Sequence, residues 1–427
     1  MNHIATALQR IFSNADVKRK LLFTAAIFLV FRFLAHVPVP GVNVSQIQSL
    51  FATNQFLSVL NIFSGGTLAN FSVMAVGINP YITASIVMQL TAFVFPNLKE
   101  MQKEGESGRE KINQYTRLLS VPVAVLQSVS VLALLQSQAL LSSRDPLTFV
   151  AMIFTLVAGA MILMWLGELV TMYGIGNGIS MVLFAGIVGQ LPLVVAQLTT
   201  VTTSADLLKL AIFAIVFLAV IMLMVFMNEA VRKVQIQYAR RTRGDRTYGG
   251  QTTHFPIKIN VAGVMPVIFA VSIMLVPPFV GRFLAAQQNL AVSQFGQNLS
   301  IWFAPTANVY MITYFLVVFV FTYFSALIFF NTQDISEDLK KSGAFVPGIR
   351  PGTPTKKFLD YVVTRITFVG AVFLGFIAIM PSIAQNFTGI QSLAIGGTSM
   401  LIVVSVVLET AKQVEGMLVG QNYDKFI

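Results

Sequence analysis

The sequence predicts an all-α integral membrane protein with ten transmembrane helices in two inverted, pseudo-symmetric halves. Three observations carry this expectation. Of 427 residues, 56% are hydrophobic and only 11% are charged, a balance suited to a lipid-embedded chain. Apolar runs close to the ~20 residues needed to cross ~30 Å of hydrocarbon recur along the whole length. A Gly/Pro-interrupted segment also occurs twice, as GINPYITASIVM (77–88) and GVMPVIFAVSIM (263–274).

Taken in order, residues 1–20 read as a short amphipathic cytoplasmic N-terminus carrying Arg10, Lys18, Arg19 and Lys20. No small-residue cleavage site follows the first apolar run, so no removable signal peptide is expected. The first span is 21–37, stopped by Pro38 and Pro40. Residues 61–90 are apolar but irregular. Gly65-Gly66 opens the stretch, Gly77 and Pro80 interrupt it, and only 81–95 reads as uninterrupted helix. Hydrocarbon cannot satisfy the freed backbone groups, so such a segment belongs against a wet cavity or inside protein. It reads as a short helix or re-entrant piece, a hinge near Gly77 and a half-helix facing a pore, with a kinked, packed helix as the alternative.

The second span is 74–95. Further spans follow at 116–136, 148–171, 178–198, 208–228, 259–281, 307–330, 359–380 and 391–409, before a cytoplasmic tail at 411–427. Ten spans put both termini on one side, and the segments on that side hold 23 of the 28 Lys and Arg residues. The positive-inside rule then places both termini in the cytoplasm. Gly263 and Pro266 match Gly77 and Pro80, and Ile268 matches Ile82. The two matched segments cross in opposite directions, as halves 21–200 and 201–410 of an inverted repeat require.

The chemistry is sparse. Cysteine is absent, and His3, His36 and His254 lie far apart, so no metal site is expected. No P-loop, HExxH or GxSxG occurs, so no catalytic residue and no cofactor are expected. Gly174-Ile-Gly176-Asn-Gly178 reads as a tight turn between spans. Arg32, Glu168 and Glu409 are attributed to snorkelling or a wet funnel. The remaining midplane candidates are Ile78, Ile82 and Ile268; an aliphatic constriction gates by dewetting, and plain helix packing is the alternative. Segments 229–258 (Arg232, Lys233, Arg240, Arg241, Arg243, Arg246) and 331–358 (Lys340, Lys341, Arg350) mix charge with apolar and aromatic residues. They suit anionic lipid or an acidic or RNA-containing partner. A small-molecule secondary transporter stays open as a second reading, because broken helices and inverted repeats fit that class too.

The strings NIFSGG (61–66), GINPYI (77–82), KEGESGREKINQYTR (103–117), MWLGE (164–168), GIGNGIS (174–180), KINVAGVMPVIFA (258–270), KKSGAFVPGIRPG (340–352) and GGTSMLIVV (396–404) resemble the SecY family, the central subunit of the bacterial protein-conducting channel. The likeness runs from about residue 18 to 412. It implies a channel, not an enzyme, in the bacterial cytoplasmic membrane. It also implies a re-entrant plug helix at 61–73, including Asn61, Phe63, Ser64, Gly65, Gly66, Thr67, Leu68 and Asn70. By family position the pore ring falls on Ile78, Ile82, Ile179, Leu183, Ile268 and Ile402, beside a lateral gate. The implied partners are the small subunits SecE and SecG, the SecA motor ATPase, the ribosome, signal peptides with their secretory or membrane polypeptides, and anionic lipids. Arg350 falls on the family's key loop arginine.

Overall fold

A computed structural model describes residues 14–53, 61, 64–137, 145–190, 192, 206–238, 241–243, 246–248, 252–388 (except 262, 264, 275, 286, 288, 305 and 306) and 397–424. The chain divides into two compact units, Met1–Leu208 with Gly389–Ile427, and Lys209–Thr388.

The first unit begins with the helix Ala15–Leu34. Asn14 caps it, its side chain accepting from the Asp16 and Val17 amides. The helix therefore starts inside the expected N-terminal segment, and Val17 is buried beside Ile175 and Val414. A short helix, Val44–Thr53, follows. The broken segment delivers Asn79–Val94, which bends by 107° at Phe95 into Pro96–Lys103. Two long helices, Glu106–Ser137 and Pro146–Tyr173, lead through a tight turn at 174–177 to Gly178–Val188. Asn177 caps this last helix, its side chain accepting from the Ile179 and Ser180 amides.

Gly397–Asp424 runs unbroken through the expected tail boundary. It groups with the first unit because its middle is fastened there: the Gly176 amide donates to Gln413 Oε1 at 2.6 Å.

The second unit starts within the helix Asp206–Glu229, which turns directly into strands. β1 (Val231–Tyr238) pairs antiparallel with β4 (Thr252–Lys258), while β2 (Arg241–Arg243) and β3 (Arg246–Tyr248) pair with each other between them. Helices Met265–Met274 and Val276–Ala285 follow, then Leu290–Trp302 and Asn308–Phe329. After the helix Thr332–Lys341, β5 (Ala344–Phe345) adds to the free edge of β1, giving the order β4-β1-β5. Thr353–Thr388 closes the unit.

Helices make up the apolar part, and the two long basic segments supply the strands. Val234 and Ile236 alternate inward on β1, and Val234 packs with Ile257, Val346, Leu359 and Val363. That small core lets charged segments hold a fixed shape.

By length and composition four described helices can cross a membrane, or five if the bent pair 79–94 and 96–102 is one span.

Candidate functional site around the broken helix

The expected plug helix is corrected by the structure. Asn61 is helical, but 64–78 is a chain of turns. The cause is local. Gly65 and Gly66 stand at φ +74° and +83°, a left-handed pair that no α-helix accommodates. Short polar side chains then take over the backbone groups. Asn61 Oδ1 accepts from the Ala69 amide at 2.8 Å, and Ser64 Oγ accepts from the Leu68 amide at 3.2 Å. The Thr67 hydroxyl donates to the Ser64 carbonyl at 2.7 Å. Such side chain–backbone bonds compete with regular helix. Phe63 lies outside the described residues.

This knot of turns is deeply packed. Thr67, Ser72, Met74 and Ala75 are fully buried, and Ser64 and Leu68 nearly so. It is tied to the chain after the first helix by two backbone bonds, Val39 amide to Phe71 carbonyl and Val73 amide to Val37 carbonyl. Asn70 Oδ1 accepts from the Gln48 side chain at 3.1 Å. On one side Gly65 lies against Gly186 of the 178–188 helix. On another the Val73 carbonyl oxygen fills the space a Cβ on Gly159 would need. Gln190 Nε2 donates to the Asn61 carbonyl at 3.4 Å.

Immediately after it, Gly77 at φ +67° turns the chain and the helix begins at Asn79, with Pro80 in its first turn. In the second unit Gly263 at φ +64° precedes a helix beginning at Met265, with Pro266 in its first turn. The two matched motifs therefore share one local conformation. A left-handed glycine re-aims the backbone, and proline sits where its missing N–H costs nothing. Gly77 and Gly263 are helix starts, not kinks within a helix.

The aliphatic candidates divide between the units. Ile78 and Ile82 lie one turn apart, with the Ile82 amide donating to the Ile78 carbonyl at 3.2 Å. Ile179 and Leu183 are likewise one turn apart on the 178–188 helix. Ile402 completes the first-unit set, and Ile268 belongs to the second unit. All are buried except Ile179, which is half-buried.

The basic candidates are brought closer than sequence spacing suggests. Gln237 and Tyr238 of β1 pair with Phe345 and Ala344 of β5, joining the two basic segments in one sheet. Arg232 and Lys233 are exposed on β1, Lys340 and Lys341 at the end of the 332–341 helix, and Arg350 after β5. The Arg350 carbonyl is fixed by the Thr355 hydroxyl at 2.9 Å. Arg241, Arg243 and Arg246 lie on β2 and β3, and Arg240 lies outside the described residues.

A family model described as SecY matches residues 72–411. The chain belongs to the SecY family. A relative named protein translocase subunit SecY, from Streptomyces galbus, is 40% identical over 438 residues, with 99% of each chain covered. SecY-type architecture also appears in solved structures. One titled "The structure of a protein conducting channel" superposes with a TM-score of 0.65 at 19% identity, covering 93% of this chain and 91% of that one. Sec61 in the canine ribosome–channel complex matches at 0.61 and 19%, with the same coverage.

Within this SecY-family chain, two charges have more definite roles than snorkelling. Arg32 Nη2 donates to the Gly189 carbonyl at 2.9 Å and so sits on the C-terminal end of the 178–188 helix. A cation there meets unsatisfied carbonyls and the negative end of the helix dipole. Glu168 accepts from Arg117 Nε across two helices. Glu409 is exposed. Sequence reasoning also passed over Gly159, Gly186 and Gln190. Glycine inside an apolar helix costs about 1 kcal/mol against alanine, and that was the available signal of a close backbone approach.

Proposed function

We propose that the protein is the channel subunit through which unfolded secretory polypeptides cross the bacterial cytoplasmic membrane and hydrophobic segments leave sideways into lipid. The observation that carries this reading is the seat of residues 64–76: a buried, side-chain-knotted segment held beside the start of a half-helix. A segment built of turns can leave such a seat without unravelling a helix, which suits a plug.

The full proposal has ten spans in two inverted halves, with both termini cytoplasmic. The waist ring is Ile78, Ile82, Ile179, Leu183, Ile268 and Ile402. Flexible aliphatic side chains admit many sequences while repelling ions. Work comes from outside, so the channel needs no nucleophile or base. The shared sheet of the two basic segments, with Arg232, Lys233, Lys340, Lys341 and Arg350 exposed, supports docking of a SecA-type motor or the ribosome. The canine relative's place in a ribosome–channel complex supports the second partner. SecE and SecG are the proposed small membrane subunits, and anionic lipid the proposed surface.

The test uses the absence of native cysteine. Single cysteines at Ile78, Ile82, Ile268 and Ile402 are expected to form disulfides with a cysteine in a stalled secretory chain. Controls at Leu29 and Phe154, 73% and 71% exposed, are expected to form none. Absence of ring crosslinks with an engaged chain overturns the reading.

A further inference from the structure

The second unit carries a helical hairpin that the channel reading does not use. Val276–Ala285 and Leu290–Trp302 pack backbone to backbone. A Cβ on Gly281 would lie 2.8 Å from the Gly296 carbonyl oxygen, so only glycine permits this approach. Asn289 caps the second helix, accepting from the Ala291 amide at 3.1 Å. The Ser293 hydroxyl donates to the Ala285 carbonyl at 2.9 Å. Small residues Ser293, Gly296 and Ser300 thus form the face turned to the partner helix.

That leaves two other faces on Leu290–Trp302. Phe295, Leu299 and Trp302 recur at helical spacing on one, and Phe295 and Trp302 are 55% and 50% exposed. Gln294, Gln297 and Asn298 occupy the other, together with Leu290 and Ile301, which are 74% and 65% exposed. On the neighbouring helix Val276 and Val280 are also exposed. A long uncharged run takes in the second helix and the span after it: no Asp, Glu, Lys, Arg or His occurs from 283 to 333. Trp302 lies only five residues before the 308–329 helix, which is apolar and long enough to cross a membrane. That helix has the exposed apolar residues Ile312, Leu316 and Val320. The hairpin is therefore tethered at the end of a span away from the basic 331–358 segment.

We propose that the Leu290–Trp302 helix of this hairpin lies in the lipid interface of the same membrane, with Phe295, Leu299 and Trp302 at the boundary between headgroups and acyl chains. Chain continuity with the 308–329 span delivers it there. A neutral helix with an aromatic strip beside a face that mixes amides with exposed Leu290 and Ile301 fits that boundary. With no cation on the hairpin beyond Arg282, adsorption rests on apolar burial and is indifferent to lipid charge.

The test places single cysteines, labelled with an environment-sensitive fluorophore, at Phe295 and Trp302 and separately at Gln294 and Asn298, in full-length protein reconstituted into phosphatidylcholine vesicles. Spin-labelled lipid is expected to quench the first pair roughly twofold or more above the second, with iodide showing the reverse order. Adding anionic lipid is expected to leave both unchanged. Because Trp302 is one of only two tryptophans, a second measurement leaves the hairpin intact. In Trp165→Phe, the signal lost on further changing Trp302→Phe is expected to be quenched by lipids brominated near the headgroup. Iodide quenching on both faces overturns the proposal. So does shielding of Phe295 and Trp302 from both quenchers, which would mean that protein covers the strip.

Discussion

Gly65 and Gly186 meet backbone against backbone: a Cβ on Gly186 would lie 2.7 Å from the Gly65 Cα, and one on Gly65 would lie 2.8 Å from the Gly186 Cα. A methyl group on either forces the main chain to move. In a free helix Gly186→Ala would be favourable by about 0.5–1 kcal/mol. Here the inserted methyl is expected to cost the seat about 1–3 kcal/mol. The expected outcome is a channel whose resting ion conductance rises while its helix content is unchanged. Single-channel recording in a planar bilayer checks this, and unchanged resting conductance would mean the glycine contact does not hold the plug.

The same helix end depends on Arg32. Its guanidinium satisfies the Gly189 carbonyl across 157 positions of sequence. Removing a charged donor from such a contact costs about 1.5–3 kcal/mol where the acceptor loses its partner. Arg32→Gln is expected to lower the thermal midpoint in detergent, with Arg32→Lys intermediate, because lysine keeps the charge but not the fork. Equal midpoints for all three would remove the capping role.

How legible these features were depended on how local their causes are. Gly77 and Gly263 could be read because a left-handed turn before a proline is written in four adjacent residues. The seat could not, because Gly186, Gly159 and Arg32 act through contacts with distant chain. The sheet was half-legible. Val234 and Ile236 alternate as a strand should, but the surrounding arginines masked that alternation and an all-α fold was expected. The 276–302 hairpin escaped notice because its first helix overlaps the expected span 259–281 and its second, rich in Gln and Asn, falls in the interval before 307. The plug segment misled in the other direction: its apolar residues and the family likeness both suggested helix, and two adjacent glycines with side-chain-capped turns prevented it.

Gly263→Ala isolates backbone strain from crowding. No atom lies within 4 Å of a Cβ there, so left-handed φ is the main cost, about 1–2 kcal/mol. At Gly77 the nearest atom, Ser64 Cα, would be at an ordinary 3.5 Å. Both alanine variants are therefore expected to lose similar stability in chemical denaturation. A much larger loss at Gly77 would mean that the segment before it cannot yield.

Arg117 and Glu168 join the 106–137 and 146–173 helices, with side chains 43% and 18% exposed. Partial exposure limits such a pair to about 0.2–1 kcal/mol. A double-mutant cycle on Arg117→Gln and Glu168→Gln is expected to return a coupling of that size, shrinking as salt rises. A salt-independent coupling would place the pair in a drier setting than its exposure indicates.

The pairing of β1 with β5 makes the two basic segments one surface, and this separates charge from shape. Arg350→Glu changes an exposed side chain while leaving its own carbonyl bonded to Thr355. It is expected to weaken ribosome or motor binding and flatten the salt dependence, with the thermal midpoint unchanged. Ala344 is buried at the β1–β5 contact. Ala344→Asp is expected to part the strands and weaken binding with every basic residue still present. Co-sedimentation with ribosomes across a salt series distinguishes the two. If Ala344→Asp binds as well as the native chain, the basic segments act independently and the sheet is only a support.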